Sequence, residues 1–430
     1  MVLCCALECA ACAACSCCCA GIRMLSSAGV RLVYAVLFLL SISVAWFMQS
    51  DVMRTALEKA ANSTDAVFDF NCGGPGQASC LGAMATLRVI LGVVFFHSLL
   101  LLCTIGSQSR NDVQGSIHSS WWPVKFLVLV ALVVACFFIP DGSIAPFYYA
   151  CYAGAIVFVI GHTIVLLGGS YTWAETWRQR ADNSRAYTCG LLFFTVAFLV
   201  AIIILTVFMF LRFTEASGCD LQKFVIAFNL ILFVLALVAS VLPKVQEYNE
   251  SSGVLQVALL GFFQTYLVWS ALSSRPIGDG DCNNFSNPAL AQNVPIYTGM
   301  ALLFMIIVWH VTNAGRRNRQ KESAYSGEDR TKWNQVYVEE QDEEAAKTAS
   351  PEYSYPIFHL TFILAATYAA MVITNWNNFK QTNDVYMLDQ TNMAFWAQLL
   401  LSWCAWGLLV WSLVAPCCCP NREFGGSSTL

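Results

Sequence analysis

Ten stretches of the chain are apolar over a length that can cross a bilayer: 31–49, 84–106, 122–140, 144–171, 187–212, 222–242, 253–273, 294–314, 355–376 and 391–415. A spanning helix needs about 20 mostly apolar residues to cover about 30 Å of hydrocarbon. Runs of this length are helices, because a helix satisfies its own backbone groups where water is absent. The short alternating segments of a membrane barrel do not occur. The pattern predicts an all-α integral membrane protein of about ten transmembrane helices.

The fourth run stands apart. Pro140-Asp141-Gly142 makes a turn, Ser143 suits a helix N-cap, and no Gly-Pro break follows until about Asn183. Forty helical residues rise about 60 Å, twice the hydrocarbon thickness. A helix over about 143–183 must therefore tilt or project from the bilayer. The longest polar segment, 315–354, opens with RRNRQK, closes with EEQDEEA and lacks apolar periodicity. It reads as a flexible loop. The order becomes a cysteine-rich N-terminus (1–30), eight helices (31–314), the loop (315–354), two helices (355–415) and a C-terminal tail (416–430).

Composition agrees. Of 430 residues 57% are hydrophobic and 12% charged, and mean hydropathy is +0.59. A soluble chain is about 25% charged. A net charge of −4 with thinly spread Lys and Arg does not suggest a nucleic-acid partner.

Charge in the loops orients the chain. With ten spans both termini share a side. That side carries fifteen Lys and Arg, seven of them in 315–354; the other carries Arg54, Lys59, Arg212, Arg275 and Lys380. Both termini are expected in the cytosol. The sequons at Asn62 and Asn284 fall on the far side and are candidate glycosylation sites. So do Cys72, Cys80, Cys219 and Cys282, an even set that suggests two disulfides. The pairs favoured are Cys72–Cys80 and Cys219–Cys282, out of three connectivities.

The first twenty residues hold eight cysteines. Facing a reducing cytosol, they read as acylation sites, a small packing helix or, least well, a metal site. The acylation candidates are Cys15, Cys17, Cys18 and Cys19, with Cys417, Cys418 and Cys419 after the last run.

Polar residues at membrane depth are functional candidates. Asn229 and Gln264, on antiparallel neighbours, can meet at one depth, either as an interhelical bond or as part of a groove for lipid head groups. Asn375, Lys125 and Arg88 complete the groove set, although Lys125 and Arg88 lie near run ends, where snorkelling also accounts for them. His97 and His162 read as neutral histidines bonded to neighbouring helices, and the five histidines show no ligand spacing. No Gly-rich phosphate loop, His-Glu-x-x-His helix or nucleophile elbow occurs. No enzyme, cofactor, metal or catalytic residue is expected.

Longer phrases point further. IHSSWWPVKFLVLVALVVACFFIP (117–140), the stretch 228–276, YSYPIFHLTFILAATYAAMVITNWNNF (353–379) and WGLLVWSLVAPCCCPNREF (406–424) resemble signatures of the serine incorporator (Serinc) family. The resemblance implies two subdomains divided by a long diagonal helix, with a lipid-holding groove. It also implies serine supply to phosphatidylserine and sphingolipid synthesis, phospholipid scrambling and, in animals, restriction of enveloped viruses. The cysteine-dense start and PCCCP ending depart from the family pattern. Phospholipids, lipid-synthesis enzymes and a second copy are the partners expected, in the plasma membrane or an endomembrane. The alternatives are a serine carrier and a scaffold for those enzymes.

Replacing the seven candidate acylation cysteines by serine is expected to abolish hydroxylamine-sensitive fatty-acyl labelling of the protein; persistent labelling contradicts the assignment.

Overall fold

The computed structural model describes residues 26–62, 71–73, 76–107, 112–215, 217–249, 252–275, 282, 296–305, 307–308, 353–382, 385–389 and 392–418. Its elements are α1 (Ser27–Phe47), α2 (Asp51–Ala61), α3 (Gln77–Thr104), α4 (Val113–Ser119), α5 (Trp122–Cys136), α6 (Asp141–Ala181) and α7 (Arg185–Phe213). There follow α8 (Asp220–Val241), α9 (Pro243–Tyr248), α10 (Val254–Ser273), α11 (Ile296–Met305), α12 (Tyr355–Ile373), the two-stranded sheet of β1 (Asn378–Thr382) and β2 (Val385–Asp389), and α13 (Asn392–Cys418).

Among the described residues, eight helices are long and apolar enough to cross a membrane: α1, α3, α6, α7, α8, α10, α12 and α13. The third run, 122–140, contains α5; α4 precedes it, and the two helices meet at 73° and together pass the same test. Trp121, at φ 66°, turns the chain there, and Pro123 opens α5. The eighth run contains α11, ten apolar residues, among the described residues. The helix α2 falls where a loop was expected. Ser50 caps it, accepting from the Met53 N–H, with Asp51 in its first turn and Lys59 in its last.

α6 has 41 residues, about 60 Å of helix. It starts at Asp141 and ends at Ala181, close to the expected 143–183. The described chain forms two compact units, and the boundary between them falls inside this helix, at Gly154/Ala155. α6 thus contributes to both units.

Burial runs opposite to that of a soluble protein. α7, the most apolar of the eight, has only 11% of its most apolar window buried; α10, the least apolar, has 78% buried. Lipid is as apolar as leucine, so outward faces need no polar residues and inward faces are free to carry them.

The first unit takes the chain to Gly154, Met300–Ile373 and Gln381–Met387. α3 is its centre, packed on α1, α2, α4, α5 and α12. Gly92 brings the backbones of α3 and α5 together, since a Cβ there would lie 2.7 Å from the Val133 Cα. On α3 the Arg88 guanidinium pairs with Asp141 at 2.5 Å and donates to the Ile139 carbonyl at 3.0 Å. The other Asp141 oxygen accepts the Asn71 N–H. Asp141 is in the first turn of α6, where the helix dipole favours a carboxylate. The disulfide Cys72–Cys80 fastens the same 71–73 segment to α3, and Tyr386 of β2 bonds the backbone of Asn71 and Gly73.

The second unit takes Ala155–Gly299, Thr374–Lys380 and the chain from Leu388. Its centre is α10, packed on α7, α8 and α13 around Ile202, Phe233, Leu260, Trp406 and Leu409. Cys219 at the start of α8 is bonded to Cys282.

Replacing Arg88 by Met leaves the Asp141 carboxylate buried without its cation. The expected loss is about 3–5 kcal/mol of stability, seen as a lowered Tm in detergent. Adding Asp141→Asn should restore part of it. An unchanged Tm for the single variant contradicts this role.

Candidate functional site

In the second unit, α8, α10 and α13 carry polar side chains on their inward faces. Asn229 on α8 is fully engaged. Its amide donates to the Thr265 hydroxyl on α10 at 3.2 Å, and its carbonyl accepts the Trp406 indole N–H on α13 at 2.9 Å. Thr265 in turn donates to the Gly261 carbonyl at 2.8 Å. Gly261 permits this approach, since a Cβ there would stand 2.7 Å from the Phe233 ring. Asn229 and Phe233 are one turn apart on α8, as are Thr265 and Gly261 on α10, so one antiparallel contact sets both.

Gln264, the expected partner of Asn229, is not bonded to it. The two residues are on neighbouring helices as expected, but the adjacent Thr265 takes the bond. Gln264 is fully buried, and neither amide atom has a hydrogen-bond partner among the described residues. The same holds for the Gln398 amide nitrogen and the Ser402 hydroxyl on α13, and for the Thr206 hydroxyl on α7. Gln398, Ser402 and Trp406 recur every fourth residue, on one face of α13. An unpaired buried polar group costs about 1–3 kcal/mol. Several of them within one helix core suit a polar occupant.

The other groove candidates are placed differently. Asn375 lies beyond the end of α12, in a turn where it and Trp376 have φ of 51° and 55°. Asn tolerates that conformation, so this position has a backbone reason for its residue. Arg88 does not snorkel: it is fully buried and paired with Asp141. Lys125 is also buried. Its ammonium donates to the His118 carbonyl at 2.7 Å and lies over the rings of Trp122 and Tyr34. The break after α4 leaves that carbonyl without its helical donor, and the lysine supplies one.

The histidines make the cluster that sequence spacing did not reveal. In the first unit, His97 Nδ1 on α3 is 3.1 Å from His359 Nδ1 on α12. His359 Nε2 is 3.2 Å from His118 Nδ1 on α4, and His118 Nε2 is 2.9 Å from the Tyr353 hydroxyl. Tyr34 also donates to the His118 carbonyl, at 2.9 Å. His97 is bonded to a neighbouring helix as expected, but through a second histidine 262 residues away. Among the described residues no group of three or more His, Cys, Asp or Glu could hold a metal ion.

Asn62 is exposed at the end of α2, and Cys417 and Cys418 close α13, half-buried and exposed. Cys15, Cys17, Cys18, Cys19, Cys419, Asn284 and nearly all of 315–354 lie outside the described residues.

Residues 3–422 match the family profile described as Serine incorporator (Serinc). The chain belongs to this family. Its Serinc relatives include "Probable serine incorporator" of Nematostella vectensis, 28% identical over 93% of this chain and 92% of that one. "Serine incorporator 2" of Homo sapiens is 29% identical over 92% and 91%. "Serine incorporator 3" of Bos taurus is 28% identical over 93% of each. Family membership and the eight long apolar helices together make this an integral membrane protein.

Two substitutions separate engaged from unengaged groups. Asn229→Leu strands the Trp406 and Thr265 partners and should lower stability by about 1–3 kcal/mol. Gln264→Leu removes no bond and should be neutral or stabilising. Thermal unfolding in detergent reads both; equal losses contradict the distinction.

Proposed function

We propose that this Serinc protein handles membrane lipids, by moving phospholipid head groups between leaflets without ATP and/or by supplying serine to phosphatidylserine and sphingolipid synthesis. The observation that carries the reading is that Gln264, the Gln398 amide nitrogen and the Ser402 hydroxyl, on the packed apolar helices α10 and α13, are buried without a hydrogen-bond partner among the described residues. A head group rich in donors and acceptors satisfies such groups while its acyl chains stay in the bilayer. The open space around Gly161 and Gly168 on α6 supports it, since an acyl chain fits closely against a helix lacking side chains there. The relatives' name, serine incorporator, directs the substrate class towards serine and its lipids.

The protein in this reading resides in the plasma membrane or an endomembrane with both termini cytosolic. It is glycosylated at Asn62 and Asn284 and acylated at its terminal cysteines. Phospholipids are its ligands, and lipid-synthesis enzymes and a second copy are candidate partners. A serine carrier is the second reading, favoured by the same name and by amides that suit a carboxylate and an amine.

Liposomes containing the purified protein and labelled phosphatidylserine separate these readings. Lipid handling predicts equilibration between leaflets without ATP, slowed by Gln264→Leu, and serine uptake at background. Protein-free rates of lipid movement contradict the proposal, and serine uptake above background selects the carrier.

A further inference from the structure

The chain His97–His359–His118–Tyr353 crosses three helices of the first unit, and its members differ in access to water. The three histidines are buried, whereas Tyr353 is partly exposed. It stands next to the exposed Ser354, just before α12. Three imidazoles in a membrane helix core are costly to desolvate, and each has spent a ring nitrogen on its neighbour.

A neutral imidazole has one N–H and one lone pair, so each ring donates on one side and accepts on the other. The chain therefore has two self-consistent directions. In one, Tyr353 donates to His118, His118 to His359, and His359 to His97. In the other every bond runs in reverse. Both leave all three bonds made, and entry of one proton at Tyr353 with loss of one from His97 Nε2 converts the first into the second.

We propose that these four residues form a proton relay, in which the partly exposed Tyr353 hydroxyl exchanges protons with water and a single proton is held as imidazolium on the buried chain. The transfer balances. Tyr353 gives its hydroxyl proton to His118 Nε2 and takes a replacement from hydronium. His118 Nδ1–H passes to His359 Nε2, and His359 Nδ1–H passes to His97 Nδ1. Each bond broken is remade one position along, and His97 ends protonated on both nitrogens. Two adjacent imidazoliums would set N–H against N–H at the 3.1 and 3.2 Å contacts, so the chain holds one excess proton.

The surroundings come from five elements. α1 brings Arg31, over the Tyr353 ring, and Tyr34; α5 brings Lys125; α3 and α4 bring His97 and His118; α12 and its lead-in bring His359, Tyr353 and Tyr355. Among the described residues neither Arg31 nor Lys125 is in an ion pair with a carboxylate. Tyr34 and Lys125 both bond the His118 carbonyl, which holds the central link in place. His359 bonds a different histidine through each ring nitrogen, a linear arrangement that suits a proton rather than one shared metal ion.

The test is NMR of the full chain in lipid nanodiscs with ¹⁵N-labelled histidine, titrated across the range in which histidine changes charge. His162, outside the chain, serves as the reference. The relay predicts that His97, His359 and His118 shift together with uptake of one proton. In His359→Leu the response of His97 should be lost while that of His118 remains. In the milder Tyr353→Phe, which keeps the aromatic packing, exchange of the chain's N–H protons with water should slow. Three independent one-proton titrations, a His97 response unchanged in His359→Leu, or unchanged exchange in Tyr353→Phe each overturn the relay.

Discussion

A polar group inside a helix bundle in lipid must find its partner within the protein or in a polar guest, because hydrocarbon offers none. This constraint organises both units. In the first, Arg88 reaches across to Asp141, and Asp141 also holds the Asn71 backbone. One carboxylate thereby joins α3, the start of α6 and the segment that the Cys72–Cys80 disulfide fastens. In the second, Asn229 draws α8, α10 and α13 together through two bonds. Apolar contact supplies closeness but little direction in a lipid solvent, so these polar bonds fix which faces meet.

Much of the fold was legible because helix length and apolarity are properties of contiguous sequence. The excess length of α6 followed from the absence of a break between Ser143 and Asn183. The disulfide pairs followed from loops assigned to one oxidising side. α4 was not legible, because it lies just before the apolar run that begins at 122 and is only seven residues long. α2 escaped notice because a short helix with a polar face reads as loop when apolar length is the criterion.

The sites were legible in kind and not in pairing. Asn229 and Gln264 were correctly assigned to neighbouring helices, yet helix rotation gave the bond to Thr265, and a shift of one residue turns a helix by about 100°. Arg88 and Lys125 near run ends suggested snorkelling. The distinction lay in Asp141 and the His118 carbonyl, partners that only the packed helices bring within reach. The histidine chain joins residues 241 and 262 positions apart, and nothing local in α3, α4 or α12 signals the other two.

Each unit holds engaged buried polar groups beside others without a partner among the described residues, such as the Trp122 indole nitrogen in the first. In the first, Arg88, Lys125 and the histidines have partners within the protein. In the second, Asn229 is engaged while both Gln264 amide atoms, the Gln398 amide nitrogen and the Ser402 hydroxyl have no partner among the described residues, and the proposed function gives them a polar occupant. A high-resolution cryo-electron map of the protein in lipid nanodiscs tests this most directly. Ordered density, from water or a lipid head group, is expected within hydrogen-bonding distance of the Gln264 and Gln398 amides. A dry cluster, with both amides packed only against hydrocarbon side chains, would contradict it.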